Sequence, residues 1–325
     1  MESGKTAEIT DPAPVEARQH KAALVPLTVA GTLAIIKLVA GLMTFSVGVI
    51  ASAIDSFMDF FVSLGNFIFI RISHEPADRE HPYGHGKSQE IAALLESIII
   101  FGSTVYLIYT AVDRIFNPKA IGMTQLAIVV MLVSLLGSVG VSIFLRQRSR
   151  ATESIALEAD SVHYTTDIYS NGGILLGLLL IHLTGFQLID VILTLAMSAF
   201  ILKSVWDLFR NALDRLMDHK LPDSLNEEIL TTIMEHSDKI IGYHNFRTRR
   251  SGPYKFIDFH LDICRETPFV EAHDITDQLE RKIQELVPAS NVLIHMDPCD
   301  ETCPGVDNCE FIQKKSSGSK STTPE

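Results

Sequence analysis

The sequence predicts two folded parts in series: an all-α transmembrane domain of six helices, then a cytoplasmic α+β domain of αββαβ order. Three observations predict it. The 325 residues are 47% hydrophobic with a mean hydropathy of +0.23, and the apolar residues are concentrated before about residue 210. Six apolar runs there reach the roughly 20 residues a helix needs to cross the hydrocarbon. Beyond them, helix-like and strand-like periodicities alternate.

The runs lie near residues 24–45, 47–72, 91–115, 122–145, 155–182 and 186–209. A polar, partly acidic tail, residues 1–20, precedes the first. That run has no short apolar core followed by a small-residue cleavage site, so it reads as a span and not as a signal peptide. Basic residues collect between the second and third runs (Arg71, Arg79, Lys87), between the fourth and fifth (Arg146, Arg148, Arg150) and after the sixth (Arg210, Arg215). Those segments, and with them both termini, are expected in the cytoplasm, with the chain a multi-pass protein of the cell's inner membrane. The opposite connections carry little beyond Arg114 and Lys119. Two three-helix halves crossing in opposite senses are compatible with an inverted 3+3 repeat.

Residues 21–217 thus form the membrane domain and 218–299 the cytoplasmic one, with 300–325 a flexible tail rich in Ser, Gly, Lys and Thr. In the cytoplasmic part a helix follows Pro222, with Ser224 as its expected cap. A strand over Ile240 to Thr248, a Ser251-Gly252-Pro253 turn and a strand over Tyr254 to Ile263 come next. In that second strand Ile257, Phe259, Leu261 and Ile263 share one face, and Asp258, His260 and Asp262 the other. A helix then sets Ile275, Leu279, Ile283 and Leu286 on one stripe, and Asn291 to Asp297 reads as the third strand. The order matches a small open-faced sandwich of ferredoxin-like or metallochaperone-like kind.

From Asp218 onward there are 12 Lys and Arg against 20 Asp and Glu, so most of the net charge of −12 sits there and a nucleic-acid partner is not expected. Cys264, Cys299, Cys303 and Cys309 all fall in this cytoplasmic part, where thiols stay reduced. Their spacing is not that of a zinc finger.

Chemistry is concentrated in two membrane runs. Asp55 and Asp59 lie one helical turn apart in the second, and His163 and Asp167 one turn apart in the fifth. A carboxylate at mid-bilayer costs about 2.5 to 3.5 kcal/mol on insertion scales, so these need a partner. Lys37 in the first span can neutralise one of three aspartates, not all. Three carboxylate oxygens and one imidazole nitrogen complete a tetrahedron for a divalent cation such as Zn²⁺, and equally tolerate Fe²⁺, Cd²⁺, Co²⁺ or Mn²⁺. The metal needs the aspartates ionised and the histidine neutral, so cation and protons compete for the site. No P-loop spacing is present, and an enzyme is not expected. Asn66, Asn171 and Asp160 read either as partners orienting the ligands or as interhelical packing bonds.

Two further groups stand outside the bilayer. Asp78, His81 and His85 in the loop after the second run have spacings that a compact turn with Gly84 and Gly86 can gather around one ion, or that leave the histidines simply solvated. His244, His260, His273 and His295, with Asp297, recur on or beside the cytoplasmic strands.

Taken together, these residues resemble the cation diffusion facilitator family, in its bacterial ferrous-iron and zinc efflux branch. The match rests on residues 53–59, Pro76-Ala77-Asp78 through His85-Gly86-Lys87, His163 to Asp167, Arg247 to Pro253 and Ile294 to Cys299. It spans about Lys21 to Cys299. The resemblance implies a transport site at Asp55, Asp59, His163 and Asp167 and a loop site at Asp78, His81 and His85. It also implies a carboxylate-bridged pair of cytoplasmic ions, one on His244, His260 and Asp297, the other on His273 and His295. It further implies a homodimer that exchanges cytoplasmic Zn²⁺ or Fe²⁺ for external protons, with bound regulatory ions and no organic cofactor, and a charge interlock of Lys87 with Asp218. Two rivals remain: a membrane-anchored metal sensor, which has no need of costly intramembrane charge, and an exchanger of protons for organic cations, which calls for an aromatic cavity.

Overall fold

The computed structural model describes residues 13–44, 47–117, 125–184 and 188–299; the tail with Cys303 and Cys309 lies outside them, as does Lys119. The chain divides into two units, one of Ala13–Met217 and one carrying the residues from Asp218 onward.

The first unit is six helices: α1 (Ala13–Thr44), α2 (Val47–Ser73), α3 (Ser88–Phe116), α4 (Gln125–Thr152), α5 (Ile155–Thr184) and α6 (Leu188–Leu216). The shortest has 27 residues, about 40 Å at 1.5 Å per residue, which exceeds the roughly 30 Å of hydrocarbon. Among the described residues, α1, α2, α3 and α6 each hold a stretch apolar enough by itself to span a membrane. Helices α4 and α5 match them in length, and α5 gives up apolarity to Asp160, His163 and Asp167. Ile98, Ile99, Phe101 and Val105 on α3, like Leu132, Val133 and Leu136 on α4, are exposed. Such faces suit lipid.

Several helices extend past the apolar runs. Helix α1 begins at Ala13, inside the polar tail, and α4 continues through Arg146, Arg148 and Arg150 to Thr152. Hydropathy marks only the part of a helix that lies in hydrocarbon, whereas backbone hydrogen bonding continues through the interface.

Helix α1 packs on α2, α4 on α5 and α3 on α6, while α5 also meets α2 and α3. Helices α4 and α5 approach closely through small polar residues: Ser161 Oγ donates to the Ser142 carbonyl at 3.3 Å, and the Ser142 and Thr165 hydroxyls lie 2.8 Å apart. The buried Tyr164 hydroxyl donates to the Pro26 carbonyl at 3.1 Å and so ties α5 to α1.

At one end of the bundle a buried amide joins four helices and the turn before α5. Gln89 Nε2 donates to Gln19 Oε1 at 2.8 Å and to Ser73 Oγ at 2.9 Å, its Oε1 accepts from Ser154 Oγ at 2.7 Å, and Gln19 Nε2 reaches the Thr152 carbonyl at 3.1 Å. Replacing Gln89 with Leu removes the shared partner of three buried polar groups. The cost expected for orphaning them is about 1 to 3 kcal/mol, read as a lower unfolding midpoint of the detergent-solubilised protein. An unchanged midpoint would show that the network contributes nothing.

The second unit runs α7 (Asp223–His236), β1 (Ile240–Ser251), β2 (Tyr254–Ile263), α8 (Phe269–Leu286) and β3 (Ser290–Pro298). The sheet order is β1-β2-β3, with β1 and β2 an antiparallel hairpin and β2 and β3 parallel. A parallel pair needs a crossover, which α8 supplies. Gly252 turns the hairpin at φ 55, a conformation that favours glycine. Ser224 does not cap α7: Pro222 takes the N-cap position with φ −52 and ψ 141. Proline's fixed φ and missing N–H suit a helix start, which leaves Ser224 inside the first turn.

Helices α7 and α8 cover one sheet face. Ile229 and Ile233 meet Leu279 and Ile283 over Ile257, Phe259, Leu261 and Ile263 in one buried core. The strand alternation therefore leaves the opposite face for polar side chains.

Candidate metal centres

In the membrane unit, Asp59 on α2 and His163 and Asp167 on α5 each offer a donor atom, all within 4.8 Å of one another. His163 Nε2 stands 3.2 Å from Asp59 Oδ1, and both side chains are mostly shielded. The i, i+4 spacing on α5 and the packing of α5 on α2 produce this convergence. Asp55 lies in α2 one turn before Asp59, and its side chain is outside the described residues. Lys37 Nζ donates to Ser56 Oγ at 2.8 Å.

Behind the cluster lies a layer that sequence reasoning found only in part. Asn66 Nδ2 donates to Glu96 Oε2 at 2.6 Å and to the Ala156 carbonyl at 3.4 Å, while Ser63 Oγ reaches Asp160 Oδ1 at 3.5 Å. Asn66 and Asp160 were legible as polar residues at depth. Glu96, 2% exposed on α3, was missed, although a glutamate inside the third apolar run was the available signal.

The loop after α2 gathers one carboxylate and two imidazoles, whose donor atoms lie within 4.8 Å of one another. Its carboxylate Asp78 accepts from the backbone N–H of His81 at 2.6 Å and of Glu80 at 2.9 Å. The His81 N–H, then that of Glu80 and the nearby imidazoles, hold the Asp78 carboxyl below its ordinary range. His81 Nδ1 lies 3.3 Å from Asp78 Oδ1, His85 Nε2 3.5 Å from Oδ2, and the two imidazoles approach to 3.1 Å. Gly84, at φ 78, makes the turn between them. His85 Nδ1 faces the Glu75 carbonyl at 3.4 Å, an arrangement that leaves Nε2 for a ligand role.

On the open sheet face three histidines stand abreast. His244 pairs with His260 across β1 and β2, and His260 with His295 across β2 and β3. Their ring centroids are 4.8 and 4.7 Å apart, the spacing of neighbouring strands. Just after His244, an irregularity in the β1–β2 register carries Asn245 at φ 53. Asp297 serves all three: Oδ2 is 2.8 Å from His260 Nδ1 and 3.4 Å from His244 Nε2, and Oδ1 is 3.2 Å from His295 Nε2. The hydrogen bond from His260, then the charges of His295, His260 and His244, hold the Asp297 carboxyl below its ordinary range. Asp262 backs His244 Nδ1 at 3.3 Å. His273 lies on α8, its Nδ1 3.8 Å from Asp277, and is not in the group of His244, His260 and Asp297 whose donors converge within 4.8 Å. Cys264 is buried and Cys299 half-buried, and no disulfide joins them.

A helical membrane unit with acid and imidazole donors between its helices, joined to an αββαβ unit with a second such cluster, defines a multi-pass membrane protein equipped for cations. Residues 23–217 match the cation efflux transmembrane domain and residues 221–299 the cation efflux protein cytoplasmic domain. Cation-efflux pump FieF of Yersinia enterocolitica is 38% identical over 286 residues, 88% of this chain and 95% of that protein. The pump of the same name from Klebsiella pneumoniae is 37% identical over 278 residues (86% and 92%), and that of Escherichia fergusonii 36% over 279 (86% and 92%). The chain belongs to the cation efflux family, as the resemblance read from its motifs implied. It is a membrane transporter of metal cations.

Proposed function

We propose that this protein is a proton-coupled antiporter that exports Zn²⁺ or Fe²⁺ from the cytoplasm, accepting Cd²⁺, Co²⁺ or Mn²⁺ through the same ligand types. The observation that carries the reading is the convergence of Asp59, His163 and Asp167 donors from two different membrane helices. Asp55 joins them by its position one turn from Asp59. Oxygen and nitrogen donors in this ratio suit borderline divalent ions. An empty cluster of carboxylates in hydrocarbon is uncompensated charge, and protons are the counter-substrate that balances it.

The chain works as a homodimer in the inner membrane with both termini cytoplasmic, residues 21–217 carrying the ion and 218–299 sensing it and holding the dimer. The cytoplasmic cluster of His244, His260 and Asp297 binds one regulatory ion, and His295 with His273 contributes to a second. The loop group of Asp78, His81 and His85 binds a further ion outside the hydrocarbon. Metal loading shifts the balance of inward- and outward-facing states only through a difference in affinity between them.

The test is zinc flux with a pH-reporting dye in proteoliposomes of the full chain. A zinc gradient is expected to move protons in the opposite direction. Zinc flux without proton movement would overturn the coupling, and no zinc flux at all would overturn the export reading.

A further inference from the structure

The Nδ1 side of His163 points away from Asp59. Its Nε2 faces Asp59 Oδ1 at 3.2 Å, and its Nδ1 faces Glu96 Oε1 at 4.0 Å. Glu96 comes from α3, a helix that contributes nothing to the cluster of Asp59, His163 and Asp167. One of its oxygens is fixed by Asn66 at 2.6 Å, while the other, Oε1, is buried and has no hydrogen-bond partner among the described residues. Asn66 is itself anchored on the Ala156 carbonyl in α5. A buried carboxyl group is thus held by one oxygen, with its other oxygen turned toward Nδ1, the imidazole nitrogen on the side away from Asp59.

We propose that Glu96 is a positioning residue for the transport site: it turns an acceptor oxygen toward His163 Nδ1, at 4.0 Å a facing contact and not yet a hydrogen bond, which favours the proton on Nδ1 and keeps the Nε2 lone pair for the cation shared with Asp59 and Asp167. An imidazole that ligates through one nitrogen is commonly oriented by a carboxylate on the other, and losing that carboxylate costs about 10- to 100-fold in metal affinity. The inference rests on the transport-site reading above. It adds a third helix to the machinery, because a shift of α3 relative to α5 changes how well His163 is aimed.

The experiment measures the zinc concentration for half-maximal flux in proteoliposomes of the full chain, with Glu96→Leu, Glu96→Ala and Glu96→Gln beside His163→Ala. Leu and Ala remove the acceptor and are expected to raise half-saturation about 10- to 100-fold, with dimers and melting midpoint retained. Gln keeps an acceptor oxygen and is expected to stay within about threefold of the wild type, the difference being that between a charged and a neutral acceptor. A merely structural role would instead lower the melting midpoint and leave half-saturation alone. Wild-type half-saturation in Glu96→Ala, or a loss in Glu96→Gln as large as in Glu96→Ala, would overturn the proposal. Should both the Leu and Ala variants fail to fold, the Gln variant decides, since a half-saturation raised in it by more than about threefold overturns the assignment. Undiminished flux in His163→Ala would remove the transport-site reading itself, which separates the two failures.

Discussion

Replacing Asp59 with Ala is expected to reduce zinc uptake into inverted membrane vesicles to the level of vesicles without the protein. Asp59 is the described carboxylate that α2 supplies to the cluster, at 3.2 Å from His163 Nε2. Without it the α5 donors, His163 and Asp167, face a helix whose remaining candidate ligand is Asp55. Losing an orienting partner costs about 10- to 100-fold in metal affinity, and losing a donor of the cluster itself is expected to cost more. The fold is expected to survive. Neighbouring positions on α2, such as the buried Ser63, Asn66 and Ile70, hold its packing, and Ala favours helix. Asp59→Asn, which keeps shape and removes charge, is expected to fail equally. Uptake at the wild-type rate in either variant, with dimers intact by size exclusion, would end the assignment.

Replacing Asp297 with Ala is expected to have the opposite profile: a large loss of metal binding at the cytoplasmic unit with flux preserved at saturating zinc. A single carboxylate spans His244, His260 and His295, with Oδ2 serving the first two and Oδ1 the third. Orienting partners cost about 10- to 100-fold when lost, so a shared ligand is expected to cost at least the upper figure. Asp297 faces away from the core of Ile257, Phe259 and Leu261, so the sandwich keeps its packing. Isothermal titration of the full chain is expected to lose its high-affinity sites while the dose response for activation moves to higher zinc. Flux abolished at saturating zinc would show that the sheet cluster belongs to the transport path and not to its regulation.

Much of this was legible in the residues. Hydrocarbon length and apolar runs imposed the spans, and Asp55, Asp59, His163 and Asp167 were visible because ionised groups inside such runs are costly. The period-two alternation in 257–263 fixed which face of β2 is core and which carries His260. Helix ends were less legible, since α1 and α4 continue into polar sequence where hydropathy is silent. The helix after Pro222 was placed correctly, but its cap was misplaced by two residues, because a serine that commonly caps helices competed with a proline that suits the same position.

Local periodicity alone therefore determined which elements form, which faces they bury, and that two membrane helices carry acid and imidazole residues one turn apart. Only the packing of separate elements decided which pairs meet. Strand register set His244, His260 and His295 side by side around Asp297, and the approach of α3 to α5 brought Glu96 to the far nitrogen of His163. Spacing along a helix or strand follows from 3.6- and 2-residue repeats, whereas proximity between elements is set by side-chain interlocking that no single segment encodes.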